Sequence, residues 1–200
     1  MYNLIRFVCR CFFLLFFRLK VEGIENIPRQ GGAIIAPNHV SLWDPPVIGC
    51  AMSRHIHFMA KEELFNIPLF RQIILVLKAF PVKRGAADRN AIRTAVTLLE
   101  QEKVLGLFPE GTRSRSGILG TAEPGVVMIA AKAGVPIIPA AIVGTKDIGK
   151  FPRIFPQLIV RFGNPVVLPQ GKVNREQIEA YSQQIMQSIG SLLQQYRGVT

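Results

Sequence analysis

Short apolar runs alternate with amphipathic stretches along the chain from about residue 20 onward. Several runs are apolar throughout, which is typical of strands covered on both faces of a sheet. The predicted strands are Gly32–Ala36, Ile56–Ala60, Ala79–Val82, Val104–Phe108, Pro136–Val143 and Leu158–Phe162. The alternation predicts an α/β domain with a mixed, largely parallel central sheet flanked by helices.

Three amphipathic stretches predict flanking helices. Apolar residues recur three to four positions apart between Asp88 and Lys103, and Asp88 is a suitable N-cap. A second helix is expected over Pro124–Ala133, with proline in its first turn and Gly134 at its end. The C-terminal stretch carries one apolar stripe, which indicates core packing and consists of Ile178, Tyr181, Ile185, Ile189, Leu192 and Tyr196.

The first twenty residues are hydrophobic and basic. Residues 4–17 are largely apolar but are interrupted by Arg6 and Arg10, and the run Cys11–Phe17 is far shorter than the ~20 residues of a spanning helix. No small-residue cleavage site follows, which argues against a signal peptide. We predict a helix that lies in a membrane interface, and therefore a membrane-associating segment 1–20 ahead of a domain 21–200. A core helix and a short or tilted span are the alternatives.

The composition supports a membrane surface as the partner. The chain has 24 Lys and Arg against 13 Asp and Glu, a net charge of +11, and 49% hydrophobic residues. Its phenylalanines lie in apolar runs rather than between basic residues, and zinc-finger spacing is missing, so nucleic acid is disfavoured. Three cysteines in no metal pattern indicate a reducing compartment. We expect a protein on the cytoplasmic face of a bacterial membrane.

A histidine and an aspartate follow the first predicted strand at a spacing of five residues, His39 and Asp44. At a turn this spacing allows a hydrogen bond that fixes the imidazole tautomer, so that the other ring nitrogen can act as a general base. No further metal-ligating residues cluster around His39, which disfavours a metal site. The sequence also has no Gly-x-Ser-x-Gly nucleophile elbow, so His39 is expected to activate a substrate hydroxyl directly.

Cationic turns follow three other predicted strands. Lys61 ends one strand, and Arg84 follows another within Lys83-Arg84-Gly85. The segment 107–117 carries Gly111, two arginines and three hydroxyls, a composition suited to a phosphate because guanidinium groups and backbone N–H groups bind oxyanions. Glu110 is expected to orient an arginine there. A solvated basic loop is the plainer interpretation.

These segments together resemble the lysophosphatidic acid acyltransferases, the 1-acyl-sn-glycerol-3-phosphate O-acyltransferases of the glycerolipid acyltransferase superfamily. Four blocks of that family recur in order between residues 38 and 139: Asn38–Asp44; Phe80–Gly85 with the upstream Lys61–Phe65; Phe108–Ser114; and Val135–Pro139. The first and third blocks are jointly specific. The short hydrophobic N-terminal part is a departure that puts a full two-helix membrane anchor in doubt.

The resemblance implies roles for particular residues. It implies that His39 is the general base and Asp44 its partner. It further implies that Glu110, Gly111, Thr112 and Arg113 shape the acceptor phosphate site, with Arg84 and Lys61 as further phosphate contacts. The implied partners are lysophosphatidic acid and an acyl thioester, acyl-CoA or acyl carrier protein, with no cofactor or metal, and the implied product is phosphatidic acid.

Three other functions stay open on the residues alone. The first is an acyltransferase of the same fold that uses another lysolipid acceptor. The second is a hydrolase in which His39 and Asp44 activate water, and the third is a membrane-binding module without catalysis. The segment Leu64–Leu77, apolar nearly all round, suits either a helix that seats an acyl chain or the bilayer, or a plain buried helix.

Overall fold

The computed structural model describes residues 2–76, 78–83, 88–152, 154–169 and 173–197. Within them seven strands form one sheet, and its spatial order is β1-β7-β6-β2-β5-β3-β4. The strands are β1 (Lys20–Glu22), β2 (Ala33–Pro37), β3 (Ile56–Lys61), β4 (Phe80–Val82), β5 (Val104–Gly106), β6 (Ile137–Val143) and β7 (Ile159–Phe162). Neighbouring strands are parallel except β6 and β7. The predicted mixed α/β class is confirmed.

Helices cover both faces of this sheet. They are α1 (Tyr2–Phe17), α2 (Asp44–Ala51), α3 (Pro68–Val76), α4 (Arg89–Glu100), α5 (Gly125–Ala133) and α6 (Arg175–Arg197). Helices α1 and α2 share one hydrophobic cluster, and α4, α5 and α6 share another. Strand β2 contributes to both clusters, since Ile35 belongs to the first while Ile34 and Ala36 belong to the second. Alternate residues of a strand point to opposite faces, so this strand is buried on both.

The predicted helix ends are confirmed. The Asp88 carboxylate accepts hydrogen bonds from the backbone N–H groups of Asn90 and Ala91, both at 3.0 Å, at the start of α4. Gly134 ends α5 with a φ of 65°, a left-handed conformation that costs glycine little.

Two elements escaped the sequence analysis. Strand β1 is three residues long and partly charged, and it exists because it pairs with β7. Helix α2 begins within the segment interpreted as a turn, because Pro45 and Pro46 occupy first-turn positions where a helix does not need their missing N–H groups.

Helix α1 packs against the domain along a narrow stripe. Phe13 and Phe17 are buried in the cluster shared with α2, and the Arg6 guanidinium donates to the Met52 carbonyl at the end of α2. The rest of the helix exposes large apolar side chains, namely Leu4, Phe7, Val8, Phe12, Leu14, Leu15 and Phe16. In the parts of the chain that the structure describes, no helix combines the length and hydropathy needed to cross a bilayer.

The apolar segment Leu64–Leu77 forms two elements. A 3-10 helix covers Glu62–Asn66 and α3 follows it, while Leu77 lies outside the described residues. Ile74 is buried, but Ile67 and Leu75 are half exposed. The segment is therefore only partly covered by the domain.

Strands β2, β3, β4, β5 and β6 run in one direction and end at the same edge of the sheet, here called the carboxyl edge. In open α/β sheets ligands bind at this edge. The segments 38–44, 107–117 and 144–147 follow these strands directly, and Lys61 is the last residue of β3. The fold therefore gathers the predicted site residues that the structure describes on one side of the molecule.

Candidate active site

His39 and Asp44 form a direct hydrogen bond at the carboxyl end of β2. His39 Nδ1 lies 2.8 Å from Asp44 Oδ2. The aspartate is fully buried and the histidine is 8% exposed. The pairing predicted from the five-residue spacing is confirmed.

Asp44 receives four hydrogen bonds. Besides the imidazole, its Oδ2 accepts from the backbone N–H groups of Val40 and Ser41, each at 2.7 Å, and its Oδ1 accepts from the Thr145 hydroxyl at 2.6 Å. Asp44 also lies in the first turn of α2, where the helix dipole favours a negative charge. A carboxyl group surrounded by donors accepts them best in its ionised form, so His39 Nδ1 carries the proton in this bond.

The tautomer leaves His39 Nε2 with a lone pair. Among the described residues nothing hydrogen-bonds this atom. It is also not one of the buried side-chain atoms that lack a partner, which in the same residues belong to His57 and Ser182. Nε2 is therefore open to the surface and can accept a proton from a bound molecule.

Aromatic rings hold the imidazole from one side. The His39 ring stacks on Phe108 with centroids 3.8 Å apart and planes 20° apart, and Phe108 in turn stacks on Phe58. Gly106 makes room for Phe58, since a Cβ atom at Gly106 would lie 2.3 Å from that ring. The stack limits rotation of the imidazole and excludes water from one of its faces.

Glu110 bridges two loops of the site. Its Oε1 accepts the backbone N–H of His39 at 2.9 Å, and its Oε2 accepts the backbone N–H of Gly120 at 3.0 Å. The expected orientation of an arginine by Glu110 is not what the described residues show, because both oxygens serve backbone groups. Glu110 thus fixes the main chain at the histidine.

The turn after Glu110 is attached to the histidine a second time. The backbone N–H of Ser114 donates to the carbonyl of His39 at 2.8 Å. Gly111 has a φ of 65°, which a side chain would strain, and allows the turn to reverse. The hydroxyl of Ser114 donates to the carbonyl of Ile118 at 2.7 Å, so it shapes the loop.

Arg113 and Thr112 present exposed side chains next to this attachment point. Within the described residues the Arg113 guanidinium has no hydrogen bond or ion pair, and the same holds for Arg115. An unpaired guanidinium one residue from the His39 attachment is available to an anionic ligand.

The remaining predicted cations lie on the neighbouring strands. Lys61 ends β3 and pairs with Glu63 at 3.0 Å, with 43% of its side chain exposed. Arg84 lies outside the described residues, although Lys83 immediately before it follows β4. Lys61 pairs in register with Val82 at the end of β4, which places both strand ends together.

No individual role was predicted for Thr145, Phe108 or Asn38, although Asn38 and Phe108 each begin one of the matched blocks. Asn38 joins the end of β2 to β6 through two hydrogen bonds with the backbone of Ile142. Phe108 belonged to a matched block, so its aromatic character was the available signal. Thr145 gave none, because a threonine after a strand is common.

Neither of two other nucleophilic side chains is arranged for attack. Cys50 is buried, and its burial together with the nearby Cys9 raises the pKa of its thiol to about 12, so it is not a thiolate at neutral pH. The Ser41 hydroxyl accepts the backbone N–H of Trp43 at 3.3 Å, and no described contact joins it to the His39 ring.

A family model described as Acyltransferase matches residues 18–143. The 1-acyl-sn-glycerol-3-phosphate acyltransferase of Bacillus subtilis is 34% identical over 127 residues, which are 63% of this chain and 63% of that protein. The chloroplastic 1-acyl-sn-glycerol-3-phosphate acyltransferase LPAT1 of Arabidopsis thaliana is 30% identical over 156 residues, which are 76% of this chain and 43% of that protein.

A solved structure resembles the whole described fold. The crystal structure of the 1-acyl-sn-glycerophosphate acyltransferase PlsC from Thermotoga maritima superposes with a TM-score of 0.74 at 28% identity, covering 98% of this chain and 81% of that one. The chain spans less than two thirds of the length of either curated relative above.

Proposed function

Because the chain belongs to the acyltransferase family, we propose that it transfers an acyl group from a thioester to the sn-2 hydroxyl of 1-acyl-sn-glycerol-3-phosphate, giving phosphatidic acid. The names of the two curated relatives and of the similar solved structure support the acceptor, since they describe acyltransferases of 1-acyl-sn-glycerol-3-phosphate or 1-acyl-sn-glycerophosphate. The observation that carries the proposal is the attachment of the Arg113 turn to His39. It keeps Arg113 one residue from the bond to the His39 main chain. Among the described residues neither the Arg113 guanidinium nor His39 Nε2 has a hydrogen-bond partner.

His39 acts as the general base in this proposal. Its Nε2 removes the proton of the acceptor hydroxyl as the oxygen attacks the thioester carbonyl. The carbon–oxygen bond forms, the carbon–sulfur bond breaks, and the proton on Nε2 then passes to the departing thiolate. Asp44 stabilises the imidazolium through the 2.8 Å bond, and such base catalysis contributes typically ~10²–10⁴-fold.

Hydrogen bonds from the backbone and from the Thr145 hydroxyl hold Asp44 in position against His39. Three donors other than the histidine hold the carboxylate, so it cannot rotate away when His39 becomes charged. The N–H groups of Val40 and Ser41 are committed to Asp44, and the donor that stabilises the tetrahedral oxyanion must come from elsewhere.

Arg113 and Lys61 hold the acceptor phosphate. Lys61 ends β3 and Arg113 lies in the segment after β5, so both are at the carboxyl edge. The backbone N–H groups of Gly111, Thr112 and Ser114 already donate to carbonyls, so side chains bind the phosphate in this proposal. We include Arg84 in this set on the resemblance alone. Fixing the phosphate positions the sn-2 hydroxyl relative to His39 and replaces a bimolecular encounter by an oriented one.

Transfer is direct in this proposal, without an acyl-enzyme. Cys50 is buried and protonated, and Ser41 is not bonded to the imidazole, so neither side chain is activated. Initial-rate kinetics that need both substrates bound together support direct transfer.

In this proposal the enzyme binds the bilayer that holds its acceptor through the exposed apolar side of α1. Arg10 and Arg18 are exposed on and just after this helix, where they can reach lipid phosphates. The acceptor and the product then stay in the membrane while the acyl thioester arrives from water.

The test is a reconstitution with purified protein. Labelled acyl-CoA and acyl-acyl carrier protein are each supplied with lysophosphatidic acid, with lysophosphatidylcholine and with a monoacylglycerol. We expect label in phosphatidic acid and little in the products of the other two acceptors. Release of free fatty acid without any acceptor would support a hydrolase, and equal use of all acceptors would contradict phosphate recognition.

A further inference from the structure

The loop between β6 and β7, residues 144–158, carries large apolar side chains at its surface. Phe151 is 91% exposed, Ile154 51% and Phe155 49%. A water-facing loop rarely groups such residues, and contiguous exposed apolar surface of this kind indicates an interaction site. The catalytic proposal makes no use of them.

This loop is attached to the end of α1. The backbone N–H of Leu158 donates to the carbonyl of Phe17, and the N–H of Lys20 donates to the carbonyl of Leu158, both at 2.9 Å. The Phe155 ring lies 5.7 Å from the Phe16 ring and 5.3 Å from the Phe17 ring, measured between centroids.

The two segments therefore meet where Phe16 contacts Phe155, and the exposed apolar residues on both sides of this contact are here called the apolar rim. It consists of Phe12, Leu15 and Phe16 from α1 and Phe151, Ile154 and Phe155 from the loop. Exposed Arg10, Arg18 and Lys150 lie among or next to these residues in the sequence.

The rim adjoins the carboxyl edge. The loop leaves the sheet at the end of β6, where Thr145 donates to Asp44, and Trp43 at the start of α2 contacts Phe13 with centroids 6.3 Å apart. A flat apolar partner on the rim would thus lie beside the His39 site.

We propose that the β6–β7 loop is a second membrane contact, which inserts Phe151 and Ile154 into an anionic bilayer beside α1. This rests on the proposed function, which places α1 at that bilayer. Charge favours lipid over a second copy of the chain, since the protein carries +11 and the rim is bordered by cations that a symmetric dimer would bring together. Contact through two segments fixes the orientation of the site relative to the lipid surface. A single helix could rotate about its own axis and would not fix it.

The experiment measures binding to vesicles without any acyl donor. The double variant Phe151→Ser, Ile154→Ser removes exposed apolar area without changing charge. Val167→Ser is the control, because Val167 is 71% exposed and follows Val166, which pairs with Ile137 at the opposite end of β6. Vesicles contain phosphatidylcholine with or without phosphatidylglycerol.

We expect the double variant to partition about tenfold more weakly than the wild type into phosphatidylglycerol vesicles, with the control unchanged. Equal partitioning of double variant and wild type would overturn the proposal. The proposal would also be overturned if light scattering showed a dimer for the wild type and a monomer for the double variant while both bound vesicles equally.

A depth measurement gives a second, independent result. Trp43 is the single tryptophan of the chain, so the variant Trp43→Phe, Phe151→Trp places one fluorophore in the loop. Quenching by lipids brominated in their acyl chains is expected for it, and not for Trp43→Phe, Val167→Trp. An unquenched loop tryptophan on bound protein would refute insertion.

Activity measurements distinguish the membrane contact of the loop from the proposed acyl transfer. With lysophosphatidic acid dispersed in detergent, the double variant should match the wild type, while its rate on vesicles should fall with binding. A wild-type protein that binds vesicles through the loop but transfers no acyl group would refute the function and leave the membrane contact standing. A double variant that loses transfer on dispersed substrate as well would contradict a role limited to docking.

Discussion

The carboxylate of Glu110 accepts the backbone N–H of His39 at 2.9 Å, across 71 positions of sequence. The bond joins segment 38–44, which provides the imidazole, to segment 107–117, which provides the basic turn. A second bond, from the N–H of Ser114 to the carbonyl of His39, runs the opposite way between the same segments. The proposed proton acceptor and the proposed phosphate site therefore keep a fixed position relative to each other.

Replacing Glu110 by alanine should weaken the attachment between the His39 segment and the basic turn. Two backbone N–H groups lose their acceptor: that of His39, which is partly buried, and that of Gly120, which is exposed and can bond water instead. The unsatisfied His39 donor costs about 1 kcal/mol of folding stability. Turnover should fall by at least the factor that corresponds to this free energy. Urea unfolding and acyl transfer measure the two effects, and Glu100→Ala, on the exposed side of α4, is the matched control. Unchanged turnover in Glu110→Ala would contradict the positioning role.

Thr145→Val should lower kcat about tenfold, the effect of losing one hydrogen bond to a charged group. The hydroxyl donates to Asp44 at 2.6 Å and is fully buried, and valine preserves its shape. Because the hydroxyl acts through Asp44, the KM for the acceptor should stay the same. Thr145→Ser restores the donor and should recover most of kcat, whereas a purely structural role would show no such rescue.

His39→Ala should reduce acyl transfer by roughly 10²–10⁴-fold, the usual contribution of a general base. Circular dichroism should show an intact fold, because the imidazole lies at the edge of the core. His55→Gln is the control, since His55 lies just before β3, at the opposite end of the sheet. A purified His39→Ala protein with nearly normal turnover would eliminate the base mechanism.

Arg113→Ala should raise the KM for lysophosphatidic acid about tenfold and leave the KM for the acyl donor nearly unchanged, as expected for one charge-assisted phosphate contact. Arg115→Ala is the control, because Arg115 is also exposed and has no partner among the described residues but lies outside the block Phe108–Ser114 that resembles the family. Equal increases for both substrates would contradict the phosphate role.

Stability should fall as the solution is acidified below about pH 6.5, the ordinary pKa of histidine. Burial, and next the nearby charge of Lys78, lower the pKa of His57 in the folded chain. The folded state therefore binds fewer protons than the unfolded state, so this stabilisation is complete above the unfolded pKa and is lost as the pH falls toward the folded one.

Urea unfolding at about pH 7.5 and about pH 5 tests this for the wild type and for His57→Gln. The variant should lose less stability between the two pH values, although His55, whose pKa is also lowered by burial, keeps part of the effect. Identical losses in both proteins would show that His57 is not responsible.

Local features of the sequence were sufficient for much of the fold and for the centre of the site. Asp88 caps α4 and Gly134 ends α5 as predicted, because caps depend on neighbouring residues alone. The His39–Asp44 bond was predictable for the same reason, since five residues at a strand end fit one turn. The parallel sheet followed from strands that are apolar on both faces.

Contacts between distant segments were decided by the tertiary structure. Thr145 is 101 positions from Asp44, and it reaches the carboxylate only because β6 lies next to β2 in the sheet. Glu110 binds backbone N–H groups rather than an arginine because β5 lies on the other side of β2. Hydrophobic patterning specifies which face of a strand is buried and not which strand is its neighbour. The strand order that completes the site is therefore set by packing of the whole domain.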